Sequence, residues 1–112
     1  MIFPSFFMEE ETYEIELHDV GEELGQTKVS NIVKEELVKR KIISEGQDVV
    51  VPEGAYEEDI GEHGYIYFYY PFEVLGENSF DGAAYGKALP TREIVWMTIV
   101  IPREKAKLDK VS

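Results

Sequence analysis

The chain carries few groups suited to covalent chemistry. It has two histidines, His18 and His63, and no cysteine. The missing thiols exclude a cysteine nucleophile, a thiolate metal site and a disulfide scaffold. The five serines, Ser5, Ser30, Ser44, Ser79 and Ser112, all lack the glycine-flanked context of a nucleophile elbow. No phosphate-cradling glycine loop and no dinucleotide fingerprint occurs. The densest donor set for a metal is Asp59, Glu62 and His63, two carboxylates and an imidazole within five residues. Oxygen and imidazole donors of this type suit Zn, Mn or Ni. Their spacing matches no standard site, and the EF-hand pattern is absent. Loop acids beside one histidine are solvated more often than they ligate. The expectation is no resident metal and no cofactor, with a metal-dependent enzyme built on His63 and its acidic neighbours as the outlying alternative. His18-Asp19 reads as an exposed or structural pair. A paired-carboxylate hydrolase needs a larger, cleft-bearing fold.

The chemistry the chain does offer is that of a binding surface. Gly64 opens the run Tyr65-Ile66-Tyr67-Phe68-Tyr69-Tyr70-Pro71-Phe72-Glu73-Val74-Leu75. In a pleated strand Tyr65, Tyr67 and Tyr69 share one face, and Ile66, Phe68 and Tyr70 share the other. The second set reads as core. The first set is amphipathic, flat apolar rings with a polar tip, and protein interfaces favour it. Just upstream stand Glu57, Glu58, Asp59 and Glu62. These seven residues, Glu57, Glu58, Asp59, Glu62, Tyr65, Tyr67 and Tyr69, form the expected partner-binding set. Exposed sheet aromatics also stack bases in RNA-recognition folds. Here the basic residue that should precede the glycine is replaced by His63, and the flanks are acidic, so that reading fails.

Charge sharpens the exclusion. The net charge of the 112-residue chain is -12. Residues 1–27 and 53–81 carry -8 each, residues 28–52 carry +1, and residues 82–112 carry +3. A basic footprint is what nucleic acids and anionic membrane surfaces require, so neither is an expected direct partner. The order short helix, glycine turn, helix and strands is also that of a winged helix-turn-helix. The helix carries Lys34, Lys39, Arg40 and Lys41, but Glu35 and Glu36 interleave with them, and phosphate would repel the whole. At 44% hydrophobic and 12% aromatic the chain is too apolar for a disordered acidic tail. Four Asn plus Gln, no Cys and abundant Glu, Lys, Val and Ile resemble a heat-adapted composition.

The elements that must position these residues follow from periodicity. Tyr13-Glu14-Ile15-Glu16-Leu17-His18 alternates strictly and predicts a half-buried strand, with Glu14, Glu16 and His18 on its outer face. A capping-box spacing at Asp19–Glu22 predicts a short helical turn to Leu24. Thr27 is the expected N-cap of a helix running to Ile43, with Val29, Ile32, Val33 and Leu37 as its buried stripe and Gly46 as its stop. Residues 48–51 predict a short strand, and residues 52–64 a loop. The tyrosine run is a strand that Pro71 places at an edge, bulges or breaks. Residues 76–86 predict a loop or irregular hairpin. Residues 92–101 are apolar on both faces after Glu93 and predict a central strand, or one sandwiched between core and partner. The length matches one domain over residues 1–112, with residues 1–8 as a docked or flexible extension and 103–112 as a charged tail. The apolar start lacks the basic front end and the length of a signal peptide, so the expected location is cytoplasmic.

These elements predict an α+β fold, one amphipathic helix on a mostly antiparallel sheet of about four strands. The expected function is a small non-enzymatic interaction protein. Its acids and tyrosines would engage a partner protein with a basic surface, as inhibitors that mimic phosphate do. The alternative is a self-assembling structural or accessory subunit of a virus or larger complex, hence a homo-oligomer.

Overall fold

The computed structural model describes residues 12–106 of the 112. The expected N-terminal extension and most of the expected tail lie outside them. Among the described residues six strands occur in chain order: β1 (Thr12–His18), β2 (Val49–Val50), β3 (Glu57–Ile60), β4 (Ile66–Val74), β5 (Phe80–Ala88) and β6 (Ile94–Pro102). The main helix is α1 (Gln26–Lys39), and a short helix α2 (Arg103–Ala106) follows β6. The strands form one antiparallel sheet in the order β1-β6-β5-β4-β2, and β3 also pairs with β4. The fold is the expected α+β arrangement with two more strands than predicted. No helix among the described residues is long and apolar enough to cross a membrane.

One face of the sheet is the core. Ile66, Phe68, Tyr70, Phe72 and Val74 of β4 are buried there, beside Ala84 and Ala88 of β5, Ile94, Met97, Ile99 and Ile101 of β6 and Ile15 of β1. Helix α1 lays Val29, Val33 and Leu37 on this face, all with no exposed surface. Each such side chain contributes roughly 1.5–3 kcal/mol by leaving water. The stripe is the one its spacing predicts; Ile32 is half-buried at its margin.

The helix boundaries differ from expectation. Gly25, not Thr27, is the N-cap, and it makes no side-chain cap bond. The helix stops at Lys39 because Lys41 takes a left-handed conformation, φ 64°. Lys41 N–H donates to the Val38 carbonyl and Ile42 N–H to the Leu37 carbonyl. This is a Schellman cap, with a lysine where glycine is usual. The expected turn of helix at 19–24 does not form. That stretch is irregular, with Glu23 bridging to Glu93 and Leu24 N–H donating to the Arg92 carbonyl.

Two strands occupy expected loops. Strand β5 carries Gly82, Ala83, Ala84, Gly86 and Ala88, a composition that reads as loop. Its partner explains it. Phe72 pairs with Gly82, Phe68 with Gly86 and Tyr70 with Ala84. A Cβ on Gly86 would lie 2.2 Å from the Trp96 carbonyl oxygen and 2.9 Å from Phe68 Cζ. The rings of β4 fill the space that larger β5 side chains would need, so close packing excludes those side chains. Strand β3 is acidic and short, and it forms by pairing Glu57–Ile60 with Ile66–Tyr69 across the turn at 61–65. Pro71 neither bulges nor ends β4. The pairing with β5 runs through it, to Ala83, while β2 and β3 leave Tyr70, Pro71 and Phe72 unpaired on the other side. A residue without an N–H is tolerated at that local edge.

Strand β6 is central, as its two-sided apolarity predicts, lying between β1 and β5. Its register shifts against β5 so that Ala88 pairs with Ile94 and Lys87 with Trp96. Val95 is the extra residue of this bulge. It lets both Ile94 and Met97 point into the core while Trp96 turns to the opposite face.

Candidate functional site

The face opposite α1 carries the tyrosines. Alternation along β4 leaves Tyr67 46% and Tyr69 47% exposed, while Ile66, Phe68 and Tyr70 are buried. Tyr65 precedes the strand on the same side, with the Lys87 ammonium 4.2 Å from its ring centroid. Registers across the sheet then define two rows on this face. One runs Glu16, Thr98, Tyr85, Tyr69, Glu57, from β1 to β3. The next runs His18, Trp96, Lys87, Tyr67, Asp59. Both rows have aromatic rings between exposed edges, and the first ends in a carboxylate on each side. The two edges lie roughly 19 Å apart at ordinary strand spacing. Glu14 extends the β1 edge, opposite Val100.

The β1 end of these rows is concave. Glu16, Leu17, His18, Tyr85, Trp96 and Thr98 line an open depression of about 300 Å³. The Tyr85 and Trp96 rings meet at 87°, with centroids 6.2 Å apart. Thr98 is buried at its floor. The Glu16 carboxylate and the His18 imidazole stand 3.8 Å apart at its rim, both largely exposed.

Of the seven residues expected to bind a partner, six lie on this face or at the adjoining turn. Glu57 and Asp59 are exposed on β3 beside Tyr69 and Tyr67, and Glu62 lies in the 3₁₀ turn Glu62–Gly64. Glu58 does not join them. As the alternate residue of β3 it pairs with Phe68 and faces the core side. There Arg92 Nη1 and Nη2 donate to its two carboxylate oxygens at 3.1 and 3.0 Å, and the Tyr70 hydroxyl donates to it as well. Arg92 also donates to the Leu24 carbonyl, and Tyr56 stacks on Tyr70 at 4.5 Å. The Arg92 hydrogen bond holds the Glu58 carboxyl below its ordinary range, against the opposing effect of burial. Burial, then the bond to Glu58, pushes the Tyr70 phenol upward. Glu58 is a latch joining β3 to the β5–β6 turn.

The weak metal candidates are spread over two elements, Asp59 on β3 and Glu62 and His63 in the turn, with His63 in a left-handed conformation. Among the described residues no group of three or more His, Asp or Glu side chains is placed to hold a metal ion. A second groove, about 570 Å³, lies beside α1. Its lining mixes Lys28 and Lys34 with Glu22, Glu35 and Glu45, so it presents no single sign of charge.

Tyr85, Trp96 and the β1 carboxylates Glu14 and Glu16 are the site residues that sequence reasoning missed. Tyr85 was hidden in a segment read as loop, and Trp96 owes its direction to the bulge at Val95. A usable signal existed. From Gly82 to Ala88 the small residues Gly82, Ala84, Gly86 and Ala88 alternate with Ala83, Tyr85 and Lys87 at period two, opposite a strand of large aromatics. In comparison with known proteins, no family model matches the chain, and no curated protein or solved structure is significantly similar to it.

Proposed function

We propose that this is a non-enzymatic interaction protein whose open sheet face engages a basic protein surface. The supporting observation is the pair of rows: Tyr85 and Tyr69 lie between Glu16 and Glu57, and Trp96, Lys87 and Tyr67 lie between His18 and Asp59, with Glu14 extending the β1 edge. Aromatic centres with charged rims are the anatomy of protein interfaces. The carboxylates would stand where phosphates otherwise lie, so the favoured partner is a nucleic-acid-binding protein approached through its basic surface. The opposite face already packs against α1 through Val29, Val33 and Leu37.

Affinity capture from the source organism, followed by competition, tests this. The expected partner is basic, is displaced by its own nucleic acid, and binds a Tyr67→Ala, Tyr69→Ala variant about tenfold more weakly. A captured partner that is acidic, or that binds this variant as well as the original chain, would sink the proposal.

A further inference from the structure

The depression at the β1 end has a chemistry more particular than the face around it. Two aromatic walls stand at 87° to one another, and a carboxylate sits at their rim. Aromatic faces attract cations through their quadrupole, and tryptophan does so best. The Glu16 carboxylate adds negative charge, and the His18 imidazole stands 3.8 Å from it, beyond hydrogen-bond reach. The same face already holds one cation of its own chain in this manner, Lys87 over Tyr65.

An anionic ligand would meet the Glu16 carboxylate and the negative faces of the two rings. A metal ion would find one carboxylate and one imidazole, too few donors for a stable site. An organic cation suits the Glu16 carboxylate and both ring faces. Between the two protein cations, the planar one suits the corner better. A guanidinium can stack on the Trp96 or Tyr85 ring and at the same time donate two parallel hydrogen bonds to Glu16. A lysine ammonium is a compact, strongly hydrated charge that cannot stack. We infer that the corner formed by Glu16, Tyr85 and Trp96 is a guanidinium site that takes an arginine side chain of the basic partner. This rests on the binding-face reading and makes it specific, since it names the residue type the partner must present.

The chain contains one tryptophan, so Trp96 fluorescence reports on this corner alone. The probes are octa-arginine and octa-lysine, equal in charge. Octa-arginine is expected to change Trp96 emission and to bind about fivefold more tightly than octa-lysine. Glu16→Gln should remove about fivefold of the octa-arginine affinity, and Glu77→Gln, an equal loss of charge in the distant β4–β5 turn, much less. Equal affinity for the two peptides, or equal effects of the two substitutions, overturns the assignment. Trp96 emission that changes with protein concentration alone would give the corner to a second copy. Peptide binding seen only in a Phe6→Ser, Phe7→Ser variant would give it to the chain's own N-terminal residues. Either result overturns the inference as well. If a basic partner binds through Tyr67 and Tyr69 and ignores Glu16→Gln, the guanidinium site falls while the wider binding role stands.

Discussion

Five residues join β5 to β6, and Arg92, with φ 82°, is the last of the three enclosed by the Leu89–Glu93 backbone bond. A bulky side chain rarely adopts this conformation, which disfavours non-glycine residues by about 1 kcal/mol or more. What offsets it is the side chain's grip on Glu58 and on the Leu24 carbonyl, together with the Leu89–Glu93 and Arg92–Leu89 backbone bonds of the turn. The pair is partly screened, Glu58 being 23% and Arg92 39% exposed at the side chain. Glu58→Gln is therefore expected to cost about 2 kcal/mol at neutral pH, mostly by leaving Arg92 without its charge partner. The sign of the pH dependence follows from the depressed carboxyl. In the unfolded chain Glu58 takes up a proton near its ordinary value of 4.5, while in the fold it resists. The stability it confers is thus full above that pH and is lost as pH falls through the lower, folded value. Urea unfolding of the original chain and the variant between pH 7 and 3 checks this. A stability difference that does not shrink below pH 4.5 would refute the latch.

At the scale of the elements, α1 shows how local rules and tertiary demands share the work. Its buried stripe is written in the 3.6-residue period of Val29, Val33 and Leu37, and was legible. Its end was not, because Lys41 is a poor left-handed residue and Gly46 a better one. The chain turns at Lys41 so that Ile42 and Ile43 can pack back against the core, where Ile43 is buried. Lys41→Gly should relieve the strain and stabilise the protein by about 0.5–1 kcal/mol, read as a higher urea midpoint at unchanged slope. No gain would mean that the lysine stem contributes packing equal to the strain. Strands β3 and β5 escaped sequence reading for a related reason. Each owes its strand form to a neighbour. The rings of β4 cover the glycines of β5, and β4 supplies the hydrogen bonds that an acidic segment such as β3 would not form alone.

At the scale of the whole molecule, the charge of -12 acquires a geometry. Some of the acids are internally engaged: Glu58 with Arg92, and Glu36 with Arg40 and Lys39. Those at Glu14, Glu16, Glu57 and Asp59 are exposed along two edges of one face. Fields of this kind accelerate encounters with oppositely charged partners and are screened by salt. Association with a basic partner should therefore slow by about tenfold or more between 50 and 500 mM salt, with a smaller change in dissociation, as stopped-flow mixing would show. An on-rate indifferent to salt would mean that the acidity serves solubility alone.

The amino-acid sequence by itself determined the class of the molecule and the inward and outward faces of β1, β4 and α1. Periodicity is a local property, and each of those segments expresses it within a few residues. It also singled out Tyr65, Tyr67, Tyr69, Glu57 and Asp59. Only the tertiary structure decided that Tyr85 and Trp96 stand beside them, that Glu16 closes the far side, and that Glu58 leaves the face to hold Arg92. Those placements depend on strand order, on register and on one extra residue in β6. Such pairings join segments distant in the chain, and no local pattern specifies them.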